Sequence, residues 1–140
     1  MQDPLIDLPG YVLRRASSAM MAALAREMEG LGLRSVEATI LQILQQQPGL
    51  TQSALGRILD IQRANMTPIA ARLEARGLVQ RIPADGRSLG LDLTAEGARV
   101  ANLVKAKVDA FEQEVIAAVP AADRAHLLPA LKAIWARFGA

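Results

Sequence analysis

The 140-residue sequence predicts a mainly α-helical domain carrying one β-hairpin, and three observations point there. Alanine and leucine dominate a composition that is 51% hydrophobic but only 3% aromatic, which favours helices. Apolar residues recur at helical spacing along most of the chain. Over residues 78–93 the period switches to two, around an Asp-Gly pair that marks a tight reversal. The length suits one domain with a real core better than two.

The elements follow in order. A long first helix is expected from about Leu8 to Glu29, on Leu8, Val12, Ala16, Ala19, Ala23 and the Met20–Leu24 pair, ended by Gly30 and Gly32. Ser35 is the expected cap of a second helix, VEATILQILQQQ, which Pro48-Gly49 closes. Thr51 caps a short third helix, QSALGRIL, with Ala54, Leu55, Ile58 and Leu59 as its apolar face. After a break at Asp60-Ile61 comes NMTPIAARLEARG, where Met66, Ile69, Ala70 and Leu73 form a buried stripe and Gly77 ends the helix. Pro68 permits two starts for this fourth helix. A start near Gln62 sets the proline ring against the carbonyl of Ala64 and distorts the first turn, whereas a start at Thr67 puts Pro68 at the favourable first position. The earlier start is the expectation.

LVQRI and SLGLDL then alternate, with Leu89, Leu91 and Leu93 on one face and PADGR as the turn between them. Thr94 caps a long helix from Ala95 to about Ala118, with Glu96 in its first turn. Pro120 opens the last helix, through Leu127, Leu128, Leu131, Ile134, Trp135 and Phe138. A short helix, a tight break and a second helix make a helix-turn-helix, and the hairpin after it makes a winged one. The fold class is therefore mainly α, a winged helix-turn-helix at residues 35–94. Residues 1–34 and 95–140 supply helices for dimerisation. Ile116, Val119 and the apolar residues of the last helix exceed what one face of a monomer buries, and a symmetric dimer is the common solution.

Composition closes off several chemistries. There is no cysteine, which excludes disulfides, thiolate catalysis and cysteine–zinc sites, and the single His126 builds no metal site by itself. No histidine–nucleophile pairing, paired-carboxylate motif, Gly-rich phosphate loop or metal spacing occurs. The chain is expected to have no catalytic residues, metal or cofactor, and not to be an enzyme. No run of about 18 uncharged apolar residues spans a membrane. The opening MQDPLIDLPG is acidic where a signal peptide is basic, so the expected location is cytoplasmic, with no membrane partner.

Charge is uneven. Residues 51–90 hold arginines 57, 63, 72, 76, 81 and 87 against Asp60, Glu74 and Asp85, a net +3, while the flanking regions are near neutral. Guanidinium suits bidentate contact with phosphate or guanine. On the fourth helix the face opposite the stripe carries Ala64, Asn65, Pro68, Ala71, Arg72 and Ala75. A DNA major groove about 12 Å wide barely admits a helix with its side chains, so small residues at 64, 71 and 75 allow close approach. Asn65 then suits an adenine edge, Arg72 a guanine and Pro68 a thymine methyl.

The run GLTQSALGRIL…IQRANMTPIAARLEARGLVQRIPADGRSLGLDLTAEG resembles the winged helix of the multiple-antibiotic-resistance-regulator (MarR) family. The marks are RLEARGLV, the Asp85-x-Arg87 wing tip and the LDLTAEG exit, and the flanking helices extend the resemblance over nearly the whole chain. It implies a homodimer with interlocked terminal helices, bound to a pseudo-palindromic double-stranded DNA operator. It also implies repression relieved by a small, often aromatic or lipophilic, effector. Carried onto this sequence, it makes Arg63, Ala64, Asn65, Thr67 and Arg72 recognition-helix contacts. Thr51, Gln52 and Ser53 would hold phosphates, and Arg81 joins from the hairpin. Arg87 would enter the minor groove, oriented by Asp85. Gly86 stands where the usual wing has a second basic residue. For the effector, Tyr11, Arg14, Arg15 and Met20 offer an aromatic wall, cations for a carboxylate and soft apolar surface. Weak net charge and Gly86 sustain a second reading, a dimeric winged-helix interaction module that no longer binds DNA.

Overall fold

The computed structural model describes residues 2–86 and 88–139. Among them, six α-helices and a two-stranded antiparallel sheet follow in the expected order. Residues up to 106 form one compact unit and residues from 107 onward a second.

Helix α1, Pro9–Glu29, begins with proline at its first position, where the missing N–H costs nothing. It ends at Gly32, whose φ of +71° places the next two amides back on the helix: Gly32 N–H on the Glu29 carbonyl (2.9 Å) and Leu33 N–H on that of Met28 (3.0 Å). Helix α2, Ser35–Gln46, is not capped by Ser35. The extended residue is Arg34, and Glu37 reaches back to accept its N–H at 2.8 Å, which leaves Ser35 inside the first turn. Helix α3, Gln52–Leu59, matches the expected span, and the Thr51 hydroxyl accepts Ala54 N–H at 3.1 Å.

The break between α3 and α4 is tight because Asp60 adopts left-handed backbone (φ 53°) and Ile61 N–H returns to the Gly56 carbonyl (2.8 Å). Helix α4 runs Arg63–Ala75 after Gln62, the earlier of the two starts, with Pro68 inside it. It ends as α1 does: Gly77 (φ +70°) sends its N–H to Glu74, and Leu78 sends its own to Leu73.

Strands β1, Val79–Pro83, and β2, Leu89–Leu93, pair with Val79 opposite Leu93 and Arg81 opposite Leu91. Leu91 is buried, but Leu89 is 51% exposed, so the alternating face outruns the core toward the tip. The segment before α3 joins the hairpin, a pairing that local periodicity does not signal. Gly49 N–H bonds the Leu91 carbonyl (2.9 Å), Leu91 N–H bonds that of Leu50 (2.8 Å), and Thr51 bridges Gly90. A Cβ at Gly90 would stand 2.4 Å from the Gly49 carbonyl oxygen, so only glycine permits the approach.

Helix α5, Ala95–Ala118, is capped by the Thr94 hydroxyl, which accepts Gly97 N–H at 2.9 Å. The core joins Ile40, Leu41 and Leu44 of α2, Leu55 of α3, Met66, Ala70 and Leu73 of α4, Leu78, Val79 and Leu91 of the hairpin, and Val100, Ala101 and Val104 of α5. Ile58, expected inside, is half exposed.

In the second unit Pro120 does not open the last helix. It precedes a 3₁₀ turn, Ala121–Asp123, and α6 spans Arg124–Phe138. Arg124 donates to the carbonyls of Val119 (2.9 Å) and Ala117 (3.2 Å), satisfying the end of α5. Pro129 lies inside α6. Trp135 and Phe138 are 73% and 76% exposed. No helix among the described residues is long and apolar enough to cross a membrane.

Candidate nucleic-acid interface

Helix α4 buries Met66, Ala70 and Leu73 and leaves Ala64, Asn65, Pro68, Ala71, Arg72 and Ala75 exposed, as the periodicity predicts. Beside its first turn lies a cleft of about 610 Å³, whose lining includes Thr51, Gln52, Ser53, Arg57, Arg63 and Ser88. The first amides of α3 have no acceptor within their own helix, so this cleft suits an anion. Asp60 also lines it and is its one carboxylate.

Four predicted contact residues are bonded to one another. The Thr67 hydroxyl donates to the Arg63 carbonyl (3.1 Å) and accepts Gln52 Nε2–H (3.1 Å). Gln52 Oε1 accepts from Arg81 Nη2 (3.3 Å), and Arg81 Nε donates to Glu74 (3.0 Å). The chain of bonds ties β1, the start of α3 and α4 into one surface, so Thr67, Gln52 and Arg81 brace that surface. Thr51 spends its hydroxyl on the helix cap.

Arg72 is placed differently from the expectation of a free base reader. Its Nε donates to Glu37 Oε2 at 2.8 Å, and Glu37 is only 1% exposed. The terminal nitrogens of Arg72 have no partner among the described residues, and its side chain is 44% exposed. Arg76 donates to the Gly32 carbonyl at 2.8 Å. With Arg72, Arg76 and Arg81 so engaged, Arg57 and Arg63 are the region's described cations without an ion pair, and both line the cleft. Arg57 was missed as a site residue, although its place four residues after Ser53 puts both on one side of α3.

At the wing tip Asp85 is exposed, and Gly86 has φ +67°, a conformation that favours glycine over the basic residue usual there. Arg87 lies outside the described residues.

The proposed effector residues divide. The Tyr11 hydroxyl donates to Asp3 Oδ2 (2.6 Å) and accepts from Arg15 Nη1 (3.1 Å), while the Arg14 and Arg15 guanidinium groups sit 5.4 and 5.8 Å from its ring centre. The Tyr11 hydroxyl, and then the Leu5 N–H, hold the Asp3 carboxyl below its ordinary value. Met20 does not belong with them. Nine residues along a continuous helix of 3.6 residues per turn is half a turn round, so Met20 faces away from Tyr11. No group of three or more metal-ligating side chains occurs among the described residues.

Residues 33–89 match the sequence model of the MarR family. The chain is 34% identical over 115 residues to the HTH-type transcriptional repressor Rv2887 of Mycobacterium tuberculosis, covering 80% of this chain and 82% of that one. It is 30% identical over 129 residues to the putative transcriptional regulatory protein for the hcr operon of Thauera aromatica, covering 90% and 78%. Among solved structures it is similar to the transcriptional regulator PcaV of Streptomyces coelicolor in complex with its natural ligand. There the TM-score is 0.77 at 26% identity, over 100% of this chain and 99% of that one.

Proposed function

The chain belongs to the MarR family of DNA-binding transcription regulators, and on that premise we propose that it is an effector-responsive repressor acting as a homodimer. Residues 35–94 are the DNA-binding part, and residues 1–34 and 95–140 assemble the dimer. Each subunit lays α4 in the major groove of one half of a pseudo-palindromic operator. The observation that carries this is the exposed α4 face of small residues around Asn65, flanked by a cleft lined by Arg57 and Arg63. The two half-sites follow from two-fold symmetry, for which the exposed Trp135, Phe138 and Leu128 supply the apolar surface. Tyr11, Arg14 and Arg15 form the effector cluster, suited to a small aromatic acid, and a relative of similar structure is known with its natural ligand bound.

A second reading, a dimeric interaction module without DNA binding, draws on the internal pairing of Arg72, Arg76 and Arg81, which lowers the free charge of the winged region. Selection from a pool of random DNA duplexes, with sedimentation of the recovered complex, separates the two. The repressor reading expects enrichment of a sequence with two-fold symmetry, bound by two chains. A pool that stays random selects the module.

A further inference from the structure

Glu37 is the one charged side chain buried among the described residues, and the DNA reading makes no use of it. Both its oxygens are engaged: Oε1 accepts the Arg34 N–H and Oε2 accepts Arg72 Nε–H, each at 2.8 Å. Capping α2 does not require a charge, because a capping box is also closed by glutamine at this position. Burying a carboxylate does call for a cationic partner. Two cations face it: Arg72, on the exposed side of α4, is hydrogen-bonded to it at 2.8 Å, and Arg76 Nη1 lies farther off, 3.9 Å from Oε1, so Arg72 is its principal partner.

The pairing takes one edge of the guanidinium and leaves the other. Arginine is a long side chain that loses much rotamer freedom when it contacts a ligand. Held at Nε by a rigid, buried carboxylate, its two terminal nitrogens form a pre-oriented fork that matches a pair of acceptors. We propose that Glu37 is a positioning residue for DNA binding, fixing Arg72 so that its terminal nitrogens meet two acceptors on the operator, a guanine edge or a phosphate. This rests on the assignment of α4 to the DNA groove. It departs from the sequence expectation in making Arg72 half of a preorganised unit whose other half lies in the core.

The test uses the full chain and the duplex it selects from a random pool. Glu37→Gln keeps an acceptor for the Arg34 N–H and removes the charge. It should weaken binding to that duplex roughly ten- to hundredfold, with helical content unchanged by circular dichroism. In an Arg72→Ala background the same substitution should add nothing, which a merely structural role for Glu37 would not reproduce. Arg72→Lys retains the charge without the fork and should show a similar loss, so the proposal stands testable even if Glu37→Gln fails to fold. A loss confined to one base position per half-site places the fork on guanine, and a uniform loss places it on phosphate. Wild-type affinity in Glu37→Gln or in Arg72→Lys, or losses that add in the double variant, overturns the assignment of Glu37. A wild-type protein that enriches no duplex overturns the DNA reading itself.

Discussion

Gly97, in the first turn of α5, lies so close to Leu78 that a Cβ at residue 97 would stand 1.8 Å from the Leu78 carbonyl oxygen. That oxygen also accepts the Thr94 N–H at 3.1 Å, and the Thr94 hydroxyl donates to the Gly77 carbonyl. The end of α4, the start of β1 and the start of α5 are thus clasped through one backbone contact. In an ordinary helix glycine to alanine gains about 1 kcal/mol. Here the sign reverses. Gly97→Ala should cost about 3 kcal/mol or more, because backbone must move and a hydrogen bond is disturbed. Gly10→Ala in α1, where nothing lies within 4 Å, should be neutral or slightly stabilising. Urea denaturation of the two variants checks the contrast.

Operator binding should weaken steeply with salt, since arginine–phosphate contacts release counterions. Arg57→Ala and Arg63→Ala should each weaken binding evenly across sequences and lower the slope of log affinity against log salt by about 1. Both residues line the cleft beside the α3 and α4 termini and have no ion pair among the described residues. A slope identical to wild type in both variants removes the cleft from the DNA interface.

Trp135→Ala should leave the fold of the single chain intact, since the indole is 73% exposed there. If the exposed face of α6 is the dimer surface, the cost appears in association, at about 2 kcal/mol or more for a buried tryptophan anchor. Sedimentation velocity across a concentration series should show the dimer dissociating at concentrations where wild type stays paired, with DNA binding lost alongside. Unchanged association would move the dimer interface elsewhere.

The Asp3–Tyr11 bond makes a prediction about pH. The folded-state pKa of Asp3 is depressed below 3.8, with the Tyr11 hydroxyl as the main cause. Its contribution to stability is therefore present above that value and is lost as pH falls through the folded pKa. Tyr11→Phe should raise the Asp3 pKa toward 3.8, read from the carboxyl carbon shift in an NMR titration. An unmoved midpoint would show that the bond does not form in solution.

Local order in the sequence is what made much of this fold legible. Thr51 and QSALGRIL carry their own cap and apolar spacing within nine residues, and the structure returns that helix residue for residue. The bare face of α4 was equally plain, because exposure follows from period alone. Pairings across long separations left no such trace. Arg72 and Glu37 stand 35 residues apart, and Arg81 and Gln52 stand 29 apart, so residues that read as free contacts proved to be engaged with each other. Met20 has chemistry suited to an effector site, but the helical angle sets it on the side of α1 opposite Tyr11. Ile58 looked like core and is half exposed, because the side it occupies has no described neighbour to cover it.

From residue 107 to residue 139 no described side chain is buried, although Ile116, Leu128, Ile134, Trp135 and Phe138 are all there. The heat-capacity increment of unfolding tracks the apolar surface that unfolding newly wets. In the isolated chain these side chains are already 41–76% exposed, so melting this segment adds less to that increment than a buried core of the same length would. Calorimetry of a dilute sample should therefore report a protein smaller than its 140 residues. With rising concentration the increment should grow and the midpoint climb, as mass action requires when the native form is the associated one. The C-terminal quarter of this sequence is folded in shape but has no interior of its own.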